Sequence, residues 1–257
     1  MITLASTPPW FRRWFWRGAA AAIAVWCVVA LVRSATYGRI AEQRLCWAAG
    51  RGDLHAVAAL LRRVSPDGTG LSPLGTSVPR ALHRAVMAGH SDVVGALLSA
   101  GADPNVNVCG WGTPLHCAAR SDGAEAARLL LDAGADPNPS EPDSNLTPLH
   151  LSAANDSVAC ARLLVAAGAD VERRAGPEGP SPLHSAAQSN AVDVTELLLS
   201  RGAQVNKLAK MPREPAAAAW SWQTPLDAAM TSGSTEVEAL LLRRGAKRAK
   251  EIGVAVD

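Results

Sequence analysis

From residue 82 onward, apolar positions arrive in paired short bursts. In LHRAVMAGHSDVVGALLSAGADPN (82–105) one burst is broken by a polar turn, and a second closes on SAGAD. The alternation returns in LHCAARSDGAEAARLLLDAGADPN (115–138), LHLSAANDSVACARLLVAAGADVE (149–172) and LHSAAQSNAVDVTELLLSRGAQVN (183–206). The opening residues Leu82, Leu115, Leu149 and Leu183 lie 33, 34 and 34 positions apart. A further unit, LDAAMTSGSTEVEALLLRRGAKRA (226–249), follows after a longer gap, and LCWAAGRGDLHAVAALLRRVSPDG (45–68) precedes the series in eroded form. Self-similarity at such a period is the mark of a stacked array built from one supersecondary unit.

One unit predicts its own elements. Thr113 is suited to cap a helix start, and Pro114 fits the first helical position, where a missing N–H costs nothing. Leu115, Ala118 and Ala119 then form an apolar inner face. A turn at SDGAE leads to a second helix whose stripe is Leu129, Leu130 and Leu131. Gly134 ends it, because glycine enters the left-handed region without steric cost. ADPN runs extended into the next unit. The interval from the residue after the leading Leu to the turn position is constant: 83 to 103, 116 to 136, 150 to 170, 184 to 204. Insertions fall only between units, as expected when each must keep its own geometry to stack.

TPLH at 113–116 and 147–150, SPLH at 181–184 and TPLD at 224–227, with GAD at 101–103, 134–136 and 168–170, resemble the repeats of the ankyrin-repeat family. The resemblance implies an all-α ankyrin-repeat solenoid over 41–249, with about six helix–turn–helix repeats joined by hairpin-like loops. The repeats fall near 41–68, 80–107, 113–140, 147–174, 181–206 and 224–249, with an insertion at 207–222 and a tail at 250–257. It also implies that Thr113, Pro114, Thr147 and Thr224 are motif residues. His83, His116, His150 and His184 are implied to hydrogen-bond within and between loops. Asn105, Asn138 and Asn206 match asparagines that become hydroxylated in the family. Departures sit toward the ends: Arg80-Ala81 replaces Thr-Pro, Leu45-Cys46 is all that remains of the first motif, and Asp227 replaces the histidine.

Residues 1–40 differ from everything after them. The run 18–32 has no charged residue, and adding Trp14, Phe15 and Trp16 with a snorkelling Arg17 makes it marginally long enough to span a bilayer. An N-terminal hydrophobic helix anchoring the chain through 14–32 is the first expectation, leaving the repeat domain cytosolic. A cleaved signal or transit peptide, giving a soluble organellar or secreted domain, is the alternative. Arg12, Arg13 and Arg17 against Arg33, Arg39 and Arg44 leave the orientation open. Asn145 and Asn155 head glycosylation sequons that matter only in a secretory lumen.

Charge and chemistry narrow the function. Five arginines and no acid lie within residues 1–41, so the rest of the chain carries −3 and lacks the positive field of a nucleic-acid binder. Cys109, Trp111, His116 and Cys117 fall within nine positions, a grouping that could suggest a metal site or a thiolate–imidazole pair. The period dissolves it: the slot of Cys117 holds Arg84, Leu151 and Ser185 in neighbouring units. No catalytic residue, cofactor, metal or small-molecule substrate is expected. What remains is non-enzymatic protein–protein interaction with an unidentified protein partner, scaffolding at a membrane. The alternative is an adaptor presenting a client to a separate enzyme such as a ubiquitin ligase or kinase. Trp111, at a loop tip, and Met211, Trp220 and Trp222, in the long insertion, are the expected apolar anchors, since tryptophan is enriched where binding energy concentrates.

Overall fold

The computed structural model describes residues 40–62, 80–212 and 220–253. Its helices come in side-by-side pairs. A helix through 40–51 (α1) precedes α2 (Leu54–Leu61), and α3 (Ala81–Met87) precedes α4 (Ser91–Ser99). The series continues with α5 (Pro114–Arg120) and α6 (Ala124–Asp132), then α7 (Pro148–Ala154) and α8 (Val158–Ala166). It ends with α9 (Pro182–Gln188) and α10 (Val192–Ser200), α11 (Pro225–Ser232) and α12 (Thr235–Arg243), and a short 3-10 turn at Ala249–Ile252.

Helices of seven to nine residues are too short to persist alone, because two turns barely repay the cost of nucleation. Stacking supplies the missing stability. The first helices α3, α5, α7, α9 and α11 pack in series, and the second helices α2, α4, α6, α8, α10 and α12 form a parallel row behind them. Leu115, Leu149, Leu183 and Leu226 from the first row meet Leu130, Leu164, Leu198 and Leu241 from the second, all fully buried. Ala118, Ala153, Ala186 and Ala229, also buried, let successive first helices approach closely. The turn inside each pair needs a left-handed residue. Glycine supplies it at Gly52, Gly89 and Gly233, while Asp122, Asp156 and Asn190 adopt φ of 52 to 54° there. Short polar side chains tolerate that region better than other L-residues do.

The all-α expectation requires an amendment in the insertion. Ala209–Pro212 (β1) pairs antiparallel with Trp220–Gln223 (β2), in the register Ala209↔Gln223, Lys210↔Trp222, Met211↔Ser221 and Pro212↔Trp220. Period-2 alternation explains the ribbon. Ala209, Met211, Ser221 and Gln223 share the buried face, and Lys210 and Trp222 the outer one. A smaller version occurs before α5, where Val108 bridges to Gly112. The expected N-terminal hydrophobic helix, including 14–32, lies outside the described residues. Among the described residues no helix is long and apolar enough to cross a membrane.

Candidate interaction face

The loops that enter α5, α7 and α9, with the ribbon before α11, form a row of fingers, held in register by two ladders. In the histidine ladder, Nδ1 of His116 accepts the backbone N–H of Thr113 at 2.9 Å, with the Thr113 hydroxyl also 2.9 Å away. An accepting Nδ1 carries no proton, so Nε2–H donates, and it reaches the Leu146 carbonyl of the next finger at 3.1 Å. His150 repeats this with Thr147 and the Pro180 carbonyl, and His184 with Ser181 and the Gln223 carbonyl. Pro114, Pro148, Pro182 and Pro225 occupy the first turn of their helices, where the ring costs no hydrogen bond. Burial disfavours the imidazolium, which lowers the pKa of His83, His150 and His184 to about 4 and that of His116 in the same direction.

The ladder changes at its ends. His83 reaches the Gly112 carbonyl at 3.0 Å, but its Nδ1 is buried without a partner among the described residues, because Arg80 stands where the other pairs have a hydroxyl. At the far end Asp227 takes the histidine's place. It accepts from Thr224 N–H and hydroxyl, and onward from Ala249 N–H at 2.7 Å and Arg248 Nε at 3.0 Å. Burial pushes this carboxyl upward, but the donated hydrogen bonds outweigh it and hold it below its usual range. An acceptor suits the last rung, since the segment after α12 offers N–H groups to it.

Asparagines make the second ladder. Asn105 donates to Gly134 O at 3.2 Å and accepts from Asp136 N–H at 2.8 Å. Asn138 bridges likewise to Gly168 and Asp170, and Asn206 to Gly245 and Lys247. The rung between Asn138 and Asn206 is Glu172, which accepts Gln204 N–H at 2.8 Å and ion-pairs with Lys207. Each asparagine thus commits both ends of its amide to the next pair.

The cysteines are spread through this architecture. Cys117 is buried under the first finger and donates weakly to Trp111 O at 3.7 Å, and burial pushes its thiol up to about 12. Cys160 is buried as well, with its thiol raised to about 12 by the same cause. Cys109 is exposed. Among the described residues no group of three His, Cys, Asp or Glu is placed to hold a metal ion.

The anchor residues fare differently. Trp111 is half-buried against the core, and its carbonyl accepts from Arg120, which also ion-pairs with the buried Glu141. Met211 is 3 % exposed, so its assignment as a surface anchor is corrected: strand alternation turns it inward. Trp222 is half-buried on the outer side of the ribbon, opposite Lys210. The Trp220 backbone pairs with Pro212.

Trp47 was missing from the expected set. It is 58 % exposed on α1, with the Arg51 guanidinium 4.4 Å from its ring centroid, a cation–π arrangement. Arg84 packs beside Gly50, where an added Cβ would lie 3.5 Å from its Nε, and Met87 on the same face of α3 is 42 % exposed. The signal existed in the repeat: Trp47 occupies the slot after Cys46 that holds Arg84, Cys117, Leu151 and Ser185. From α5 onward that slot is covered, and at α1 it is open.

A family model described as ankyrin repeats, in three copies, matches residues 45–141 and 138–209. No curated protein matches the chain.

Proposed function

Because the chain belongs to the ankyrin-repeat family, we propose that it is a non-enzymatic protein-binding array of six repeats. The observation that carries this reading is Trp47. A large indole left mostly in water with the Arg51 guanidinium over its ring, and an exposed methionine and Arg84 on the following first helix, is apolar area that association would cover. Arg51 and Arg84 make no ion pair among the described residues. The partner is therefore a protein segment that sets an apolar side chain beside a carboxylate. Trp111 and Trp222 extend this contact along the fingers, with Trp220 at the ribbon's end.

A binding comparison tests it, with the full chain as bait beside a Trp47→Ala/Met87→Ala bait and a Leu242→Ala control on the opposite row. A partner retained by the wild type and the control and lost at least tenfold by the double variant is the expected result. Equal retention by all three removes the reading.

Residues 14–32 tether this array to a membrane in the same proposal, on the strength of their uncharged run and flanking tryptophans. Carbonate extraction should leave the full chain in the pellet; release into the supernatant would end that part of the reading.

A further inference from the structure

Between the second and third fingers lies an open cleft of about 370 Å³, lined by Ser140, Asn145, Arg173, Arg174, Gly176 and Pro177. No carboxylate lines it. The acids on the flanking fingers are engaged elsewhere: Asp136 by the Asn138 N–H, Glu141 by Arg120, Asp143 by the Gly110 N–H, Asp170 by the Glu172 N–H, Glu172 by Lys207 and Glu178 by Lys210. Arg173 and Arg174 form no ion pair or side-chain hydrogen bond among the described residues, and neither do the Ser140 hydroxyl and the Asn145 amide. Two guanidinia, an amide and a hydroxyl thus face one space with their donors unspent.

A chain that pairs its surrounding charges so fully and leaves two arginines together has built a positive site. Its donor set exceeds what a carboxylate accepts. A phosphate monoester offers about two negative charges and three acceptor oxygens, and guanidinium forks match phosphate geometry in pairs. The cleft opens between loop tips, with exposed Pro177 as an apolar lip, so a side chain on another protein can enter it. We propose that this cleft is a phosphate-binding site that receives a phosphorylated side chain of the partner. Arg173 and Arg174 hold the phosphate, and Ser140 and Asn145 donate to its remaining oxygens. The identity of the source as a protein side chain rests on the interaction reading above; the phosphate site itself does not.

Calorimetric titration of the full chain with inorganic phosphate, O-phosphoserine and acetate, at matched ionic strength, tests the site directly. The expected result is saturable binding of phosphate and phosphoserine, at least tenfold stronger than acetate. It should weaken at least tenfold in Arg173→Gln/Arg174→Gln and stay unchanged in the exposed-surface control Arg162→Gln. Absence of phosphate binding, equal binding by the double variant, or acetate binding as well as phosphate overturns the proposal. Binding of phosphate with exclusion of phosphoserine overturns its assignment to a protein side chain. None of these outcomes touches the Trp47 comparison, which uses different residues and a different readout.

Discussion

Nε2 of His116 donates to the carbonyl oxygen of Leu146, 30 residues further along the chain and 3.1 Å away, while its Nδ1 holds the start of its own helix. One neutral imidazole thereby fixes a helix cap and the spacing to the next pair. A protonated ring would lose the acceptor that Thr113 uses. The ladder is built for the uncharged form.

Stability should therefore fall in mild acid. His83, His150 and His184 titrate at about 4 in the fold, below the ordinary value near 6.5 expected in the unfolded chain. Between those values the unfolded chain holds more protons, so acid favours unfolding. Unfolding free energies from urea titrations should decline steadily from pH 6.5 toward 5, with a limiting slope of about 4 kcal/mol per pH unit for three such groups. A flat profile over that range would contradict the neutral ladder.

Removing a middle rung should cost more than removing a surface contact. His150→Ala strands the Thr147 N–H and the Pro180 carbonyl in a buried site. A loss of about 3 kcal/mol in equilibrium unfolding is expected. Asn138→Ala removes two solvent-accessible hydrogen bonds and should cost about 1 kcal/mol.

The first rung can be repaired. Arg80 already has the extended backbone of a helix cap, φ −62° and ψ 163°, close to the −86° and 167° of Thr113. Arg80→Thr offers the orphaned Nδ1 of His83 a hydroxyl and removes a neighbouring positive charge. Thermal unfolding should shift upward, by about 1 kcal/mol of stability. A neutral or destabilising result would show that the nitrogen is already satisfied.

Thiol labelling separates the cysteines. Cys109 should react with a maleimide in the native protein, while Cys117 and Cys160 should react only in denaturant, since they are buried and their thiols are raised to about 12. Native labelling of Cys117 at the rate of Cys109 would restore it as a reactive group.

Much of this architecture was legible in the sequence, and the limits have physical causes. Thr113, Pro114 and Leu115 declare a helix start because their roles are local and repeat at one period. The partners of His116 and Asn138 lie about 30 residues away, and only the stack reveals which carbonyl each meets. Met211 departs from its expected place because the length of the insertion suggests irregular chain, whereas its Ala-Lys-Met alternation folds as a strand. The eroded Leu45-Cys46 motif hides the place of Trp47 in the unit. The cleft at Arg173 and Arg174 depends on which acids are already paired, a matter of three-dimensional bookkeeping that no linear pattern states.

The rung from His184 to Gln223 spans 39 residues where its neighbours span 30, yet its 3.2 Å length matches theirs. The extra chain leaves as β1 and returns as β2 before the rung closes. Contour length between rungs is thus a free variable, while the points of attachment are fixed. The paired ends Pro212 and Trp220 make a natural graft point: a peptide epitope or a sensor domain whose ends meet closely could be spliced between them without asking the neighbouring helices to move.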